Sequence, residues 1–209
     1  MGTVGILSAA WVAYFALHSW WASEGFKAAV QRRWPQQFPH YRLAYNVLAL
    51  LLLLPIVWLT FATPSPILWR WEGAAAWGMN ALALAALGGF FHTLRYYDSL
   101  SFLGLRRGHE THIGRADEPF VISPWHRYVR HPWYALGLVL IWTRDMPLNW
   151  FVACVALTLY LLVGSRLEEH KLLRYYGERY QRYRARVPAL IPWPGRSLRA
   201  DEAHTLQKD

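Results

Sequence analysis

Five long stretches of the chain carry no Asp, Glu, Lys or Arg: Met1–Ser23, Leu43–Trp69, Gly73–Leu94, His131–Thr143 and Met146–Ser165. Within them apolar residues lie all around the helical wheel instead of forming one stripe, which is the pattern of a helix with no water-facing side. A helix rises about 1.5 Å per residue, so about 20 residues cross a hydrocarbon core of about 30 Å. All but one of the stretches meet that length. The exception, His131–Thr143, has 13 residues and reaches only about 20 Å, so it must begin below the surface, tilt little or recruit its polar flanks. The turn Arg144-Asp145-Met146-Pro147 joins it to the last stretch, with Pro147 in the place that favours a first helical turn. The two predict a helical hairpin. No Lys or Arg precedes Lys27, and no small-residue cleavage site follows a short apolar core, so the first stretch reads as a retained helix.

Composition sharpens this picture. Of 209 residues, 55% are hydrophobic and 17% charged, with 13 Trp and 12 Tyr, which excludes a disordered chain. Mean hydropathy is only +0.08 because basic connectors, net charge +9, offset the apolar stretches. From N-terminus to C-terminus the connectors carry 0, 4, 1, 6, 1 and 10 Lys or Arg. If five segments cross, 20 of the 22 basic residues share one side. Cytoplasmic loops retain such charge. The expectation is therefore a multi-pass protein of the bacterial inner membrane with its N-terminus outside and its C-terminus in the cytoplasm. Topology accounts for the charge, so no nucleic-acid partner is invoked. Cys154 is the single cysteine and makes no internal disulfide. The predicted fold is all-α and polytopic: five transmembrane helices, the fourth and fifth forming the hairpin, and a cytoplasmic C-terminal helix. Residues 1–194 read as one domain, with a three-helix part over 1–96 and a second part over 124–187, and 195–209 as a polar, disordered tail.

Outside loops of this topology are too short for a site, so polar chemistry belongs to the cytoplasmic ends. Gly104–Pro124 reads as an irregular loop. The run Trp125-His126-Arg127-Tyr128-Val129-Arg130-His131-Pro132-Trp133-Tyr134 follows, and Pro132 in a first turn leaves Arg130 and His131 at a helix N-terminus suited to an anion. Beyond the fifth stretch, positions 169, 173, 176, 180 and 183 share one helical face, carrying Glu169 and then an aromatic stripe, with Glu168 beside it. Gly177 is placed to kink that helix and Pro188 to end it. His18 and His92 fall near cytoplasmic helix ends, level with Arg130, His131 and Glu168, where intramembrane ionisable groups are functional candidates. Blander roles stand beside each: an interhelical hydrogen bond for His18 and His92, headgroup docking for the tyrosines, affinity for anionic lipid for Arg166–Arg186. His109 and His112 are three apart in a glycine-flanked loop and lack the spacing of a zinc helix, so no metal site is assigned. No phosphate loop, dinucleotide fingerprint or nucleophile elbow occurs.

Arg130-His131-Pro132-Trp133-Tyr134, a short hairpin, Glu168-Glu169 and then Tyr176-Gly177-Glu178-Arg179-Tyr180 with Tyr183 resemble the C-terminal half of the isoprenylcysteine carboxyl methyltransferase superfamily. Leu17-His18-Ser19 and Phe102-Leu103-Gly104-Leu105-Arg106 resemble its bacterial methanethiol S-methyltransferase and NnrU-like branch, although the His-Phe-Asp of that branch is replaced by an offset Tyr96-Tyr97-Asp98. The resemblance implies an integral membrane methyltransferase using S-adenosylmethionine. Tyr128, Arg130, His131, Tyr134, Glu168, Glu169, Tyr180 and Tyr183 would bind the cofactor. His131 or His92 would serve as base and Arg130 would meet the cofactor carboxylate. The acceptor would be a small molecule or lipid entering from the bilayer. A thiol is favoured, while an isoprenylcysteine-like carboxylate, a phospholipid, or a non-catalytic ligand-binding role remain alternatives. Oligomeric state is not legible.

Overall fold

The structure, a computed structural model, describes residues 2–105 and 120–208. His109, His112 and most of the Gly104–Pro124 loop lie outside the described residues. The described residues fall into two compact units. The first is drawn from Met1–Trp71, Tyr97–Thr111 and Asp145–Leu157, the second from Glu72–Tyr96, His112–Arg144 and Thr158–Asp209.

In the first unit α1 (Thr3–Ala22) packs on α3 (Tyr41–Ala62), and the short α2 (Glu24–Arg33) is capped by Ser23, whose hydroxyl accepts from the Phe26 N–H. Trp11, Ile56 and Ala153 form its buried centre. The uncharged stretch Leu43–Trp69 stops being helical at Ala62 because Pro64 and Pro66 follow, each lacking the N–H that a further turn needs. Its end instead forms β1 (Ile67–Trp69), antiparallel to β2 (Met146–Pro147), with Ile67 opposite Pro147. Pro147 thus sits in a strand immediately before α7 (Leu148–Arg186) rather than inside its first turn. Asp145 accepts from the Trp71 N–H at 3.1 Å, and α5 (Ser99–Leu103) is held where Asn46 donates to the carbonyls of Phe102 and Leu103.

The second unit joins α4 (Gly73–Thr93) to α6 (Pro132–Trp142). The third apolar stretch, α4, thus packs on α6. The cause is the small-residue face Ala83, Ala86, Gly89 and Thr93. A Cβ added at Gly89 would stand 2.9 Å from Trp125 Cη2 and 3.2 Å from Leu136 Cδ2. At the other end of α4, Arg144 donates to Asn80 Oδ1 at 3.0 Å.

Residues 195–209, expected to be disordered, also differ. Ala200–Lys208 forms a helix, α8, whose Ala203 and Leu206 pack against Phe120, Ile122, Tyr180, Tyr183, Val187 and Leu198. Gln207 accepts from the Ile122 N–H at 2.9 Å, and Glu202 from the Arg199 N–H at 2.8 Å. Average polarity hid the few apolar positions that share one face.

Among the described residues three helices, α3, α4 and α7, are long and apolar enough to cross a membrane, and α6 is a shorter apolar helix. Val12, Trp58, Trp77 and Leu84 are each more than two-thirds exposed. Large apolar groups turned outward in this number suit lipid as the surrounding solvent.

Candidate active site

The site lies within the second unit and depends on a break in α7. Gly177 has φ 54 and ψ −129, a conformation that side chains with a Cβ resist. In an unbroken helix Arg184 would lie about 22 Å beyond Glu169, yet its Nε is 3.3 Å from Glu169 Oε2. The chain after Gly177 therefore folds back, and it returns Tyr180, Tyr183 and Arg184 to the level of Glu168 and Glu169. Gly177→Ala should cost about 1–3 kcal/mol, read as a lower melting temperature in detergent. An unchanged melt would contradict the strained turn.

Around this fold-back a buried charge cluster assembles. Arg130 donates from Nε to Glu169 Oε1 at 2.8 Å, its Nη2 lies 2.7 Å from the same oxygen, and Nη1 donates to the carbonyls of Arg184 and Val187. His131, the residue that precedes α6, places Nε2 3.2 Å from Glu169 Oε1 and Nδ1 3.5 Å from Glu168 Oε2. Its ring stacks on Tyr134 at 5.3 Å and 7°. Tyr134 donates to Glu168 Oε2 at 3.3 Å. Glu169 is 6% exposed and Glu168 43%. Of the two carboxylates, Glu169 is spent within the protein and Glu168 faces outward.

The structure brings Arg130, His131, Tyr134, Glu168, Glu169 and Tyr180 into one group, and places the other expected residues in different surroundings. Arg130 spends four of its five N–H groups on Glu169 and two carbonyls, so it ties the fold-back together and presents no free two-donor fork. Both nitrogens of His131 face carboxylates, the setting of a donor to them. His92 accepts at Nδ1 from Trp125 Nε1 at 2.8 Å, so that lone pair is occupied too. His18 lies 2.7 Å from the Tyr45 hydroxyl in the first unit, the interhelical hydrogen bond of the blander reading. Tyr183 is core: 3% exposed, its hydroxyl donates to the His126 carbonyl. Tyr128 is exposed, its ring under the Arg127 guanidinium at 5.8 Å. Tyr180 is 1% exposed, and its hydroxyl has no hydrogen-bond partner among the described residues.

Sequence reasoning missed Arg184 and the pair Ser123 and His126. Ser123 Oγ is 2.7 Å from His126 Nδ1. Burial, then the positive His131, lower the His126 imidazole to about 4, so it stays neutral. For His131 burial opposes protonation, but the hydrogen bonds and charges of Glu168 and Glu169 outweigh it and raise the imidazole above 6.5. A raised folded-state value means stability that is full below the unfolded value of 6.5 and lost as pH rises through the folded one. Wild-type melting should accordingly fall as pH climbs above neutrality, and the fall should be smaller in His131→Gln. Equal pH profiles would remove the imidazolium from the account.

One half-exposed carboxylate with the Tyr134 ring beside it, and a buried hydroxyl without a hydrogen-bond partner among the described residues, mark a small polar site in a helical membrane-type protein. The chain is 31% identical over 185 residues to a methanethiol S-methyltransferase of a Pseudomonas species, covering 86% of this chain and 69% of the relative. It is 30% identical over 195 residues to that of Crocosphaera subtropica, covering 87% and 72%, and 30% identical over 174 residues to methanethiol S-methyltransferase 2 of Bradyrhizobium diazoefficiens, covering 79% and 66%. It belongs to the methanethiol S-methyltransferase family, a branch of the isoprenylcysteine carboxyl methyltransferase-like proteins, and spans about two thirds of these relatives' length. No protein-family model matches the chain, and no solved structure matches it.

Proposed function

We propose that this protein transfers a methyl group from S-adenosylmethionine to a small thiol, as the names of its relatives describe for methanethiol. The observation that carries this reading is Glu168, a half-exposed carboxylate held by Tyr134 and His131 in a chain similar to methyltransferases over most of its length. The residues fit the donor. Glu168 would take its ammonium or ribose hydroxyls, the Tyr134 face its positive charge, and the Tyr180 hydroxyl a further polar contact. S-adenosylmethionine, when bound, supplies the methyl group as a sulfonium. What the chain adds is alignment and exclusion of water, the chief requirements of an in-line displacement. With His131 and His92 both engaged, a thiol acceptor would bind as its preformed thiolate.

The topology belongs to the same proposal. Trp142 donates to Thr158 Oγ1, Tyr134 to Glu168, and His131 meets Glu169, so residues earlier in α6 meet residues later in α7. That order supports an antiparallel hairpin, which with α1, α3 and α4 makes five segments. The alternation of basic connectors supports a cytoplasmic site and C-terminus in a bacterial inner membrane.

The test supplies purified protein with methyl-labelled S-adenosylmethionine and three acceptor pools: small thiols, prenylated cysteine analogues and extracted phospholipid. Label in the thiol pool is expected. Label confined to lipid or prenylcysteine would change the acceptor, and the absence of donor binding by calorimetry would end the enzyme reading.

A further inference from the structure

One stretch of the second unit is apolar, exposed and no part of the charge cluster. Residues 191–196, Ile-Pro-Trp-Pro-Gly-Arg, are all exposed, Ile191 at 73% and Trp193 at 66%. The stretch is a formed turn: the Arg196 N–H donates to the Trp193 carbonyl at 3.0 Å, Gly195 has φ 75, and two prolines stiffen the chain. Holding Ile and Trp outward in this way is unfavourable in water.

Its position is fixed by the backbone on both sides. The N–H groups of Arg130 and His131 donate to the carbonyls of Pro188 and Ala189, at 2.9 and 3.0 Å, immediately before α6 begins. The Leu198 N–H donates to the Arg127 carbonyl at 3.0 Å. The turn therefore starts two residues from the level at which α6 begins. Two cations flank it. Arg127 Nε donates to the Leu198 carbonyl and Arg196 Nη2 to the Ala185 carbonyl, at 2.9 and 3.0 Å. Neither forms an ion pair with a carboxylate among the described residues, so each guanidinium is ordered without being neutralised. The tyrosine stripe that the sequence offered for headgroup docking is buried at Tyr180 and Tyr183 and cannot do this.

We propose that the 191–196 turn is a membrane-interface anchor: Ile191 and Trp193 enter the boundary between headgroups and acyl chains, and Arg127 and Arg196 meet the phosphates of anionic phospholipid. The proposal rests on the reading that α4, α6 and α7 lie in a bilayer. Because the turn is tied to 127–131 by three backbone hydrogen bonds, lipid contact also steadies the segment that carries Arg130 and His131.

The test places nitroxide labels at Ile191→Cys and, separately, Trp193→Cys in a Cys154→Ala background, in nanodiscs of phosphatidylcholine alone or mixed with phosphatidylglycerol. Power saturation then compares access of oxygen with access of a water-soluble nickel chelate. Oxygen access above nickel access at both positions, with the label deeper in the anionic discs and that difference reduced by Arg196→Gln, is the expected result. Nickel access at both positions would put the turn in water, and shielding from both reagents would mean a second copy or another protein covers it. Either overturns the anchor. Equal depth in the two lipids would overturn the anionic preference. A control label at Leu84→Cys on the exposed face of α4 keeps the premise separate. Nickel access there would sink the membrane reading itself, whereas lipid exposure there with a wet turn would sink the anchor alone.

Discussion

Arg130→Ala is expected to cost far more stability than any other single change in the site. Its guanidinium and the Glu169 carboxylate are 9% and 6% exposed, and it also supplies the donors for the carbonyls of Arg184 and Val187. Removing it leaves a buried carboxylate with only His131 and Arg184 and strands two carbonyls at the end of the fold-back. Breaking a buried pair costs about 3–5 kcal/mol. Because His131 and Arg184 remain, the lower end applies, equivalent to a fall in melting temperature on the order of 10 °C. Arg130→Lys should fall between the two, since one ammonium cannot reproduce the fork. Thermal unfolding in detergent reads this directly. An unchanged melt with weakened donor affinity would restore the carboxylate-binding role that the sequence suggested.

Glu168→Gln should behave in the opposite way. The side chain is 43% exposed and touches the fold only through the Tyr134 hydroxyl and His131 Nδ1, contacts an amide partly keeps. Its melting temperature is expected to stay close to wild type. Affinity for S-adenosylmethionine should fall by about 10–100-fold, because a hydrogen bond to a charged group contributes about 1.5–3 kcal/mol. Calorimetry checks the affinity, and Glu169→Gln is the control, with stability lost first. The adjacent glutamates would then separate into one that binds and one that builds. Similar behaviour of the two would refute the division drawn from their exposure.

The ends of α1, α4 and α6 were legible because uncharged stretches and Pro132 mark them without reference to neighbours. The end of α3 was obscured because Pro64 and Pro66 are apolar and do not interrupt an uncharged run, although they interrupt a helix. The site was half legible. Arg130, His131, Tyr134, Glu168 and Glu169 are dense in charge and shape, and they do meet. Their contacts were not, because only the tertiary structure sets both nitrogens of His131 against carboxylates. Arg184 carried no signal, being one of ten basic residues after the last apolar stretch.

From the amino-acid order alone came the apolar helices, the lopsided basic charge and the break at Gly177, because these depend on local chemistry and on spacing along one chain. The tertiary structure alone decided that α4 packs with α6, that the tail becomes α8, and which acidic group is enclosed and which faces out. Those outcomes depend on close approach between small residues and on how many donors converge on one carboxylate, and both are properties of positions distant in the chain.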